Sequence, residues 1–396
     1  MQEDPIVIVG AARTPMGGFQ GSLTPLSAPE LGGYAIQGAV ERAGVAPEDV
    51  QDLIMGLCLF AGVKQAPARQ AAHLAGIPWG AGATTISKMC GSAMKATMLA
   101  HDNILAGSHD IMVAGGMESM TNAPYILPKA RGGYRLGNGD TVRDHMFMDG
   151  LEDAYDEGRL MGTFAEDTAE HYQFTREAQD NYAIESLTRA KKAVEDGSFD
   201  DEVVPVTVKT RKGETMVTSD EQPFNANIEK IPQLKPAFRK DGTVTPANSS
   251  SISDGAAALV LMKRSEAEKR GLTPKALIHA HSTHSQEPNW FTTAPIGAVR
   301  KVLEKTGWSK EEVDLFEVNE AFAVVAMAAM RDLDIPHDKI NVHGGACALG
   351  HPVGASGARI VVTLMSALEK YNLNKGVASL CIGGGEATAV SIERLN

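Results

Sequence analysis

Cysteine is scarce in this 396-residue chain: there are four, Cys58, Cys90, Cys347 and Cys381, and no two form a Cys-x-x-Cys pair. That spacing suits neither a zinc ribbon nor a disulfide framework, and it fits a compartment where thiols stay reduced. Long apolar runs are missing as well. No stretch approaches the ~18 consecutive apolar residues that a membrane-spanning helix needs. Positive charge is in the minority, with 37 Lys and Arg against 49 Asp and Glu and a net charge of −12. This argues against nucleic-acid binding, which rests on clustered Lys and Arg. A phosphorylated small molecule stays admissible, because one basic patch or helix N-terminus can hold it. Neither G-x-x-x-x-G-K-[ST] nor G-x-G-x-x-G occurs, which weakens nucleoside triphosphate and dinucleotide readings. The opening Met1-Gln2-Glu3-Asp4-Pro5 is acidic and runs straight into Ile6-Val7-Ile8-Val9. A secretory signal would be cationic and a mitochondrial presequence Arg-rich, so a cytoplasmic location is expected.

What is present is ordinary for a globular protein: 43% hydrophobic and 22% charged residues, with length enough for two or three domain-sized units. The 40 glycines fall in short clusters at the ends of apolar runs. Strand-like runs at 6–9, 111–114, 259–262 and 377–382 alternate with helical segments such as 93–105 and 355–368. The alternation predicts an α/β protein whose sheets are covered by helices. Two regions echo each other. Cys90-Gly91-Ser92-Ala93 opens a helix, and the strand after it ends in Gly115-Gly116. Residues 350–357 open another, and its following strand ends in Gly383-Gly384-Gly385. The echo predicts a duplication that brings glycine-rich junctions to a shared centre. Between the halves, residues 121–249 are more charged, with many prolines and glycines and one strongly helical piece near 163–196. An inserted cover over the active site is expected there. Its densest basic cluster, Lys209-Thr210-Arg211-Lys212, is read as a solvated hairpin turn, with a phosphate contact as the alternative.

Four segments could carry chemistry. Cys90 stands at a helix start, where the helix dipole and unpaired N–H groups favour the nucleophilic thiolate; without such neighbours a cysteine is a small buried hydrophobe. His351, in Gly350-His351-Pro352-Val353-Gly354-Ala355-Ser356-Gly357, projects from a rigid loop and suits proton transfer from a thiol. Cys381-Ile382-Gly383-Gly384-Gly385 offers main-chain N–H groups unobstructed by side chains, as an oxyanion hole needs; the alternatives are a tight turn or a phosphate loop. Asn319, in Val318-Asn319-Glu320-Ala321-Phe322, either caps the next helix or orients a water or carbonyl. His279, His281 and His284 form an H-x-H-x-x-H string, read as packed or solvent-facing histidines with a metal site as the alternative. The Asn248-Ser249-Ser250 sequon is read as a chance match.

Taken in order, a CGS cysteine segment, NEAF, GHPxGASG and CxGGG resemble the thiolase family. With Ile6-Val7-Ile8-Val9-Gly10-Ala11-Ala12-Arg13-Thr14-Pro15 at the other end, the resemblance spans essentially the whole chain. It implies a duplicated α/β fold with a five-layered α-β-α-β-α core and an inserted loop domain. Residues 1–120, completed by 250–272, form the N-terminal half, 121–249 the CoA-binding loop domain and 273–396 the C-terminal half. The implied reaction is the reversible condensation of two acetyl-CoA to acetoacetyl-CoA and CoA. Thiolysis of longer 3-ketoacyl-CoA chains is the alternative, and a β-ketoacyl synthase or a non-catalytic acyl-CoA binder are rivals. By the same resemblance Cys90 is the acyl-carrying nucleophile, His351 its activator and Cys381 the acid/base at the α-carbon. Asn319, through a water, and His351 hold the thioester oxygen, while the N–H groups of Cys90 and Gly383 hold the tetrahedral intermediate. Ser250, Ala237, Phe238, Ala321, Phe322 and Met161 line the pantetheine and acyl tunnel. No metal or permanently bound cofactor is implied, CoA being substrate and product, and the resemblance implies a homodimer or homotetramer. The chain departs from the pattern at His343, Cys347, Ser251, Leu160 and Phe291, and at Glu386-Ala387-Thr388.

Overall fold

The computed structural model describes residues 4–137, 141–211 and 213–395; residues 1–3 of the acidic opening and Lys212 of the basic cluster lie outside it. Five strands build the first sheet: β1 (Ile6–Arg13), β2 (Asp52–Gly56), β3 (Gly82–Ile86), β4 (Ile111–Ser119) and β5 (Ser253–Lys263). Their spatial order is β1-β5-β4-β2-β3, antiparallel across the first two pairings and parallel across the last two. Every residue of β4 is buried, as is all of β5 but Lys263. Strands covered on both faces lose the apolar–polar alternation, so these two read as continuous apolar runs. Helices α1 (Ala28–Ala43) and α2 (Pro67–Leu74) cover one face, and α3 (Ser92–Leu105) covers the other. α1 shows why the chain turns helical where it does: Ser27 and Glu30 form a capping box at its start, and Gly44, at φ +67°, ends it.

In the intervening segment, the single helical piece expected near 163–196 is two helices, α4 (Met161–Tyr172) and α5 (Arg176–Glu195). Gln173 turns left-handed at φ +54° and ends the first, and the Thr175 hydroxyl accepts the Ala178 N–H to begin the second. The helical periodicity runs through this corner, so pattern alone merges them. Val206–Thr210 and Gly213–Val217 form the expected hairpin, with exposed Lys209 paired to Glu214 at 2.9 Å.

The second half repeats the first. Strands β6 (Ala276–Ser285), β7 (Leu315–Val318), β8 (Lys375–Ile382) and β9 (Glu386–Arg394) lie in the order β6-β9-β8-β7, two antiparallel pairings followed by a parallel one. A parallel bridge from Phe316 to Ile340 stands where β3 stands in the first sheet. Helices α6 (Ala294–Thr306) and α7 (Ala323–Leu333) cover the outer face, and α8 (Ser356–Lys370) takes the place of α3. Pairs Val7–Leu277 and Ile8–Ala276 join β1 to β6. Three apolar cores result: one between α1, α2 and the first sheet, one between α6, α7 and the second, and one around α3 and α8 between the sheets. The layers therefore run α-β-α-β-α, as the family resemblance implies. Among the described residues no helix is long and apolar enough to cross a membrane.

The middle layer is tight because glycine makes it so. A Cβ on Gly357 would lie 2.4 Å from the Met94 backbone nitrogen, and one on Gly116 would lie 2.0 Å from the Gly354 carbonyl oxygen. Backbone cannot give way as a side-chain tip can. Gly357→Ala should cost ~1–3 kcal/mol of stability, read as a lower denaturant midpoint; an unchanged midpoint would show that the helices can part at no cost.

Candidate active site

The approach to Cys90 is a strained turn. Met89 has φ +46°, a left-handed conformation uncommon for a side chain of that size. Ser92 holds it in place: its hydroxyl donates to the Met89 carbonyl at 2.6 Å and accepts the Lys88 N–H at 2.8 Å. The Cys58 thiol donates to the same carbonyl at 3.1 Å. Gly91 lets the turn sit against the second half, since a Cβ there would lie 2.4 Å from the Ile382 Cδ1. Lys88 also pairs with Glu386, which ties this turn to the segment following Gly383-Gly384-Gly385.

That glycine segment is the tight corner between β8 and β9, with Gly384 and Gly385 both at φ +95°. The main-chain N–H groups of Gly383 and of Cys90 itself both favour the Cys90 thiolate. Burial dominates all the same. It pushes the Cys90 thiol up to about 11 against the pull of these two donors. The fully buried Cys381 thiol rises well above its ordinary value through burial and then through the neighbouring Cys90. The helix start was expected to favour thiolate; at rest, desolvation outweighs it and both groups stay protonated.

His351 lies across the same junction. Ser356 donates its hydroxyl proton to the Pro352 carbonyl at 2.9 Å, so its oxygen accepts from His351 Nδ1–H at 2.5 Å. The Nε2 lone pair is therefore free to face the site. Asn319 points its Nδ2 at that nitrogen, 3.5 Å away, because Arg359 donates to Asn319 Oδ1 at 3.4 Å and so fixes which way the amide faces. Burial, and next the Arg359 charge, push His351 down to about 3, so the ring is neutral. Val353 packs in the same small apolar cluster as Cys90.

The proposed lining residues also gather. A Cβ on Gly383 would touch the Met161 sulfur at 3.6 Å, and the Phe238 ring covers Gly162 and meets Phe322 edge-on at 6.0 Å. Ser250 N–H donates to Ala321 C=O at 2.9 Å, and Ala237 sits on an exposed turn held to Val244. Other candidates lie elsewhere. Cys347 hydrogen-bonds to Glu320, within a network reaching Tyr182 and Asn341, while His343 is wedged between Phe199 and Tyr371. His279 pairs with Glu393, His281 with Asp102 and His284 with Gln286, so the histidine string does not converge. Asn248 is buried and bonded to Asp180, which disposes of the sequon as a glycan site.

Glu118 was missed by the sequence reading. Its buried carboxylate accepts N–H bonds from Cys58, Leu59 and Gly354 at 2.9, 3.1 and 2.8 Å, clamping the histidine loop to the end of β2. Burial still pushes it up to about 7. Arg359 was missed too. Both are lone charges inside apolar runs, which is the signal that could have found them. Because Cys90 is a thiol at rest, its alkylation by iodoacetamide should accelerate from pH ~7 to at least pH ~10; a rate already level at pH ~7 would mean a resting thiolate.

Comparison with known proteins identifies the family. The family description "Thiolase, N-terminal domain" matches residues 6–265, and "Thiolase, C-terminal domain" matches residues 272–394. The chain is 47% identical to an acetyl-CoA acetyltransferase of Cupriavidus necator over 391 residues, covering 98% of this chain and 99% of that protein. It is 48% identical over 394 residues to a cytosolic acetyl-CoA acetyltransferase of Mus musculus, covering 99% and 98%. The Acat5 thiolase of Ascaris suum, solved in complex with coenzyme A, superposes with a TM-score of 0.93 at 42% identity, covering 99% of this chain and 100% of that one. The chain belongs to the thiolase family.

Proposed function

We propose that the protein is an acetyl-CoA C-acetyltransferase: it condenses two acetyl-CoA to acetoacetyl-CoA and CoA, and runs the reverse thiolysis, through an acyl group carried on Cys90. One observation carries the reading. The turn that holds Cys90 packs against the strand end that holds Cys381: Gly91 closes on the Ile382 side chain, and Lys88 pairs with Glu386. The full-length likeness to proteins named acetyl-CoA acetyltransferase supports acetyl as the group transferred.

In thiolysis, His351 Nε2 takes the Cys90 proton as the sulfur attacks the 3-keto carbon. With a high-pKa thiol and a low-pKa imidazole, proton transfer alone is uphill, so it is coupled to attack. The N–H groups of Cys90 and Gly383 receive the tetrahedral oxyanion. The carbon–carbon bond then breaks, and the acetyl-CoA enolate leaves with its oxygen held by His351 and, through a water, Asn319. Cys381 gives its proton to the α-carbon and recovers one from the CoA thiol, whose sulfur takes the acyl group from Cys90, and Cys90 regains its proton from His351. Condensation reverses each step. The raised pKa of Cys381 suits this role, because it narrows the gap to a very weak carbon acid. Ser250, Ala237, Phe238, Ala321, Phe322 and Met161 line the tunnel for pantetheine and acyl group. Residues 121–249 act as the loop domain that holds CoA, between an N-terminal half of 1–120 with 250–272 and a C-terminal half of 273–396. We further read the protein as a cytoplasmic homodimer or homotetramer.

Thiolysis of longer 3-ketoacyl-CoA is the second reading. The full-length likeness to proteins named acetyl-CoA acetyltransferase favours the four-carbon substrate over it. A ketoacyl synthase is disfavoured because Cys381 stands where that chemistry uses a histidine. Across a series of 3-ketoacyl-CoAs, kcat/KM should be greatest for acetoacetyl-CoA; a strong preference beyond four carbons would overturn the acetyl assignment. Cys381→Ala should lose condensation while Cys90 still accepts an acyl group, and unaltered condensation would sink the role given to Cys381.

A further inference from the structure

His281, on β6, points its Nε2 at Asp102 Oδ1, 2.9 Å away. His101, beside Asp102 near the end of α3, points its Nδ1 at the same oxygen, 3.0 Å away. One ligand atom from each of the three residues falls within 4.8 Å of the other two. The imidazole planes stand at 87° to one another with centroids 5.1 Å apart. Two nitrogens and a carboxylate thus converge on one point from two elements that are far apart in sequence.

We propose that His101, Asp102 and His281 form a binding site for a divalent transition-metal ion of the zinc type, separate from the cysteine site. Two imidazoles and one carboxylate are a ligand set that such ions favour, and three protein ligands leave a coordination position for water. The side-chain exposures arrange this well. His101 is the floor at 5% exposed, His281 the wall at 16%, and Asp102 the open side at 50%, which gives an ion access from solvent. The ion needs neutral imidazoles. It also needs the His101 proton on Nε2 rather than Nδ1. That atom is buried and has no partner among the described residues, so moving the proton there gives up the Nδ1–H···Oδ1 contact and leaves a buried donor unpaired, a cost the metal–nitrogen bond must outweigh. The ion would replace two N–H···O contacts with three ligand bonds, and no net proton is released. Because α3 lies in the first repeat and β6 in the second, it would also pin the two repeats together.

The test uses the full-length protein, stripped with chelator and titrated with Co²⁺. We expect one equivalent bound, with visible d–d absorption and no near-ultraviolet sulfur charge-transfer band, displaced by Zn²⁺. His281→Gln and Asp102→Asn should each weaken Co²⁺ binding at least tenfold, with far-ultraviolet circular dichroism and the thiolysis rate unchanged. Absence of cobalt absorption overturns the proposal. So does a sulfur charge-transfer band, which would place the ion on the cysteines, or binding that survives in both variants.

Discussion

The close passage of the two repeats at their shared centre governs the molecule. α3 and α8 begin where backbone meets backbone, with Gly357 over Met94 and Gly116 under the Gly354 carbonyl. Any side chain at these positions would meet backbone well inside van der Waals contact and force the loops to shift. The loop before α3 carries Cys90, and the loop before α8 carries His351. Glu118 then fastens the second loop to the first repeat through the Gly354 N–H. Placement of the chemistry is thus a packing property of the middle layer.

The same closeness sets the electrostatics. Packing that excludes side chains also desolvates the site, so Cys90 and Cys381 rise, His351 falls, and these three groups rest neutral. A helix start alone would lower a cysteine; here the Gly383 and Cys90 N–H groups recover only part of the desolvation penalty. Charge appears in such a site when substrate brings an electrophilic carbon and an oxygen to receive it. Donors fixed in advance then act without reorganising. Asn319 and His351 are fixed in this sense, each by a buried neighbour, Arg359 and Ser356.

Much of this was legible in the residues. The echo between 90–116 and 350–385 predicted the duplication, and the family resemblance implied its five layers. The helix-opening turns before α3 and α8 match, while Gly115-Gly116 lies within β4 and Gly383–Gly385 forms the β8–β9 corner. Cys90, His351, Cys381 and Asn319 announced themselves through rigid local context. Glu118 did not, because its partners include Gly354, distant in sequence, and only the fold shows why a carboxylate sits in an apolar strand. The break at Gln173 was hidden because a single left-handed residue leaves apolar spacing intact. His281 was noticed for the wrong neighbours: its partners are on α3, while His279 and His284 turn elsewhere.

The central claim is that, of the four free cysteines, Cys90 alone is placed to carry an acyl group. Incubating the protein with acetyl-CoA, quenching in acid and mapping peptides by mass spectrometry tests it directly. The account predicts a single acetyl adduct, on the peptide holding Cys90, that disappears when free CoA is added before the quench. An adduct on Cys58, Cys347 or Cys381, or no adduct at all, would contradict it.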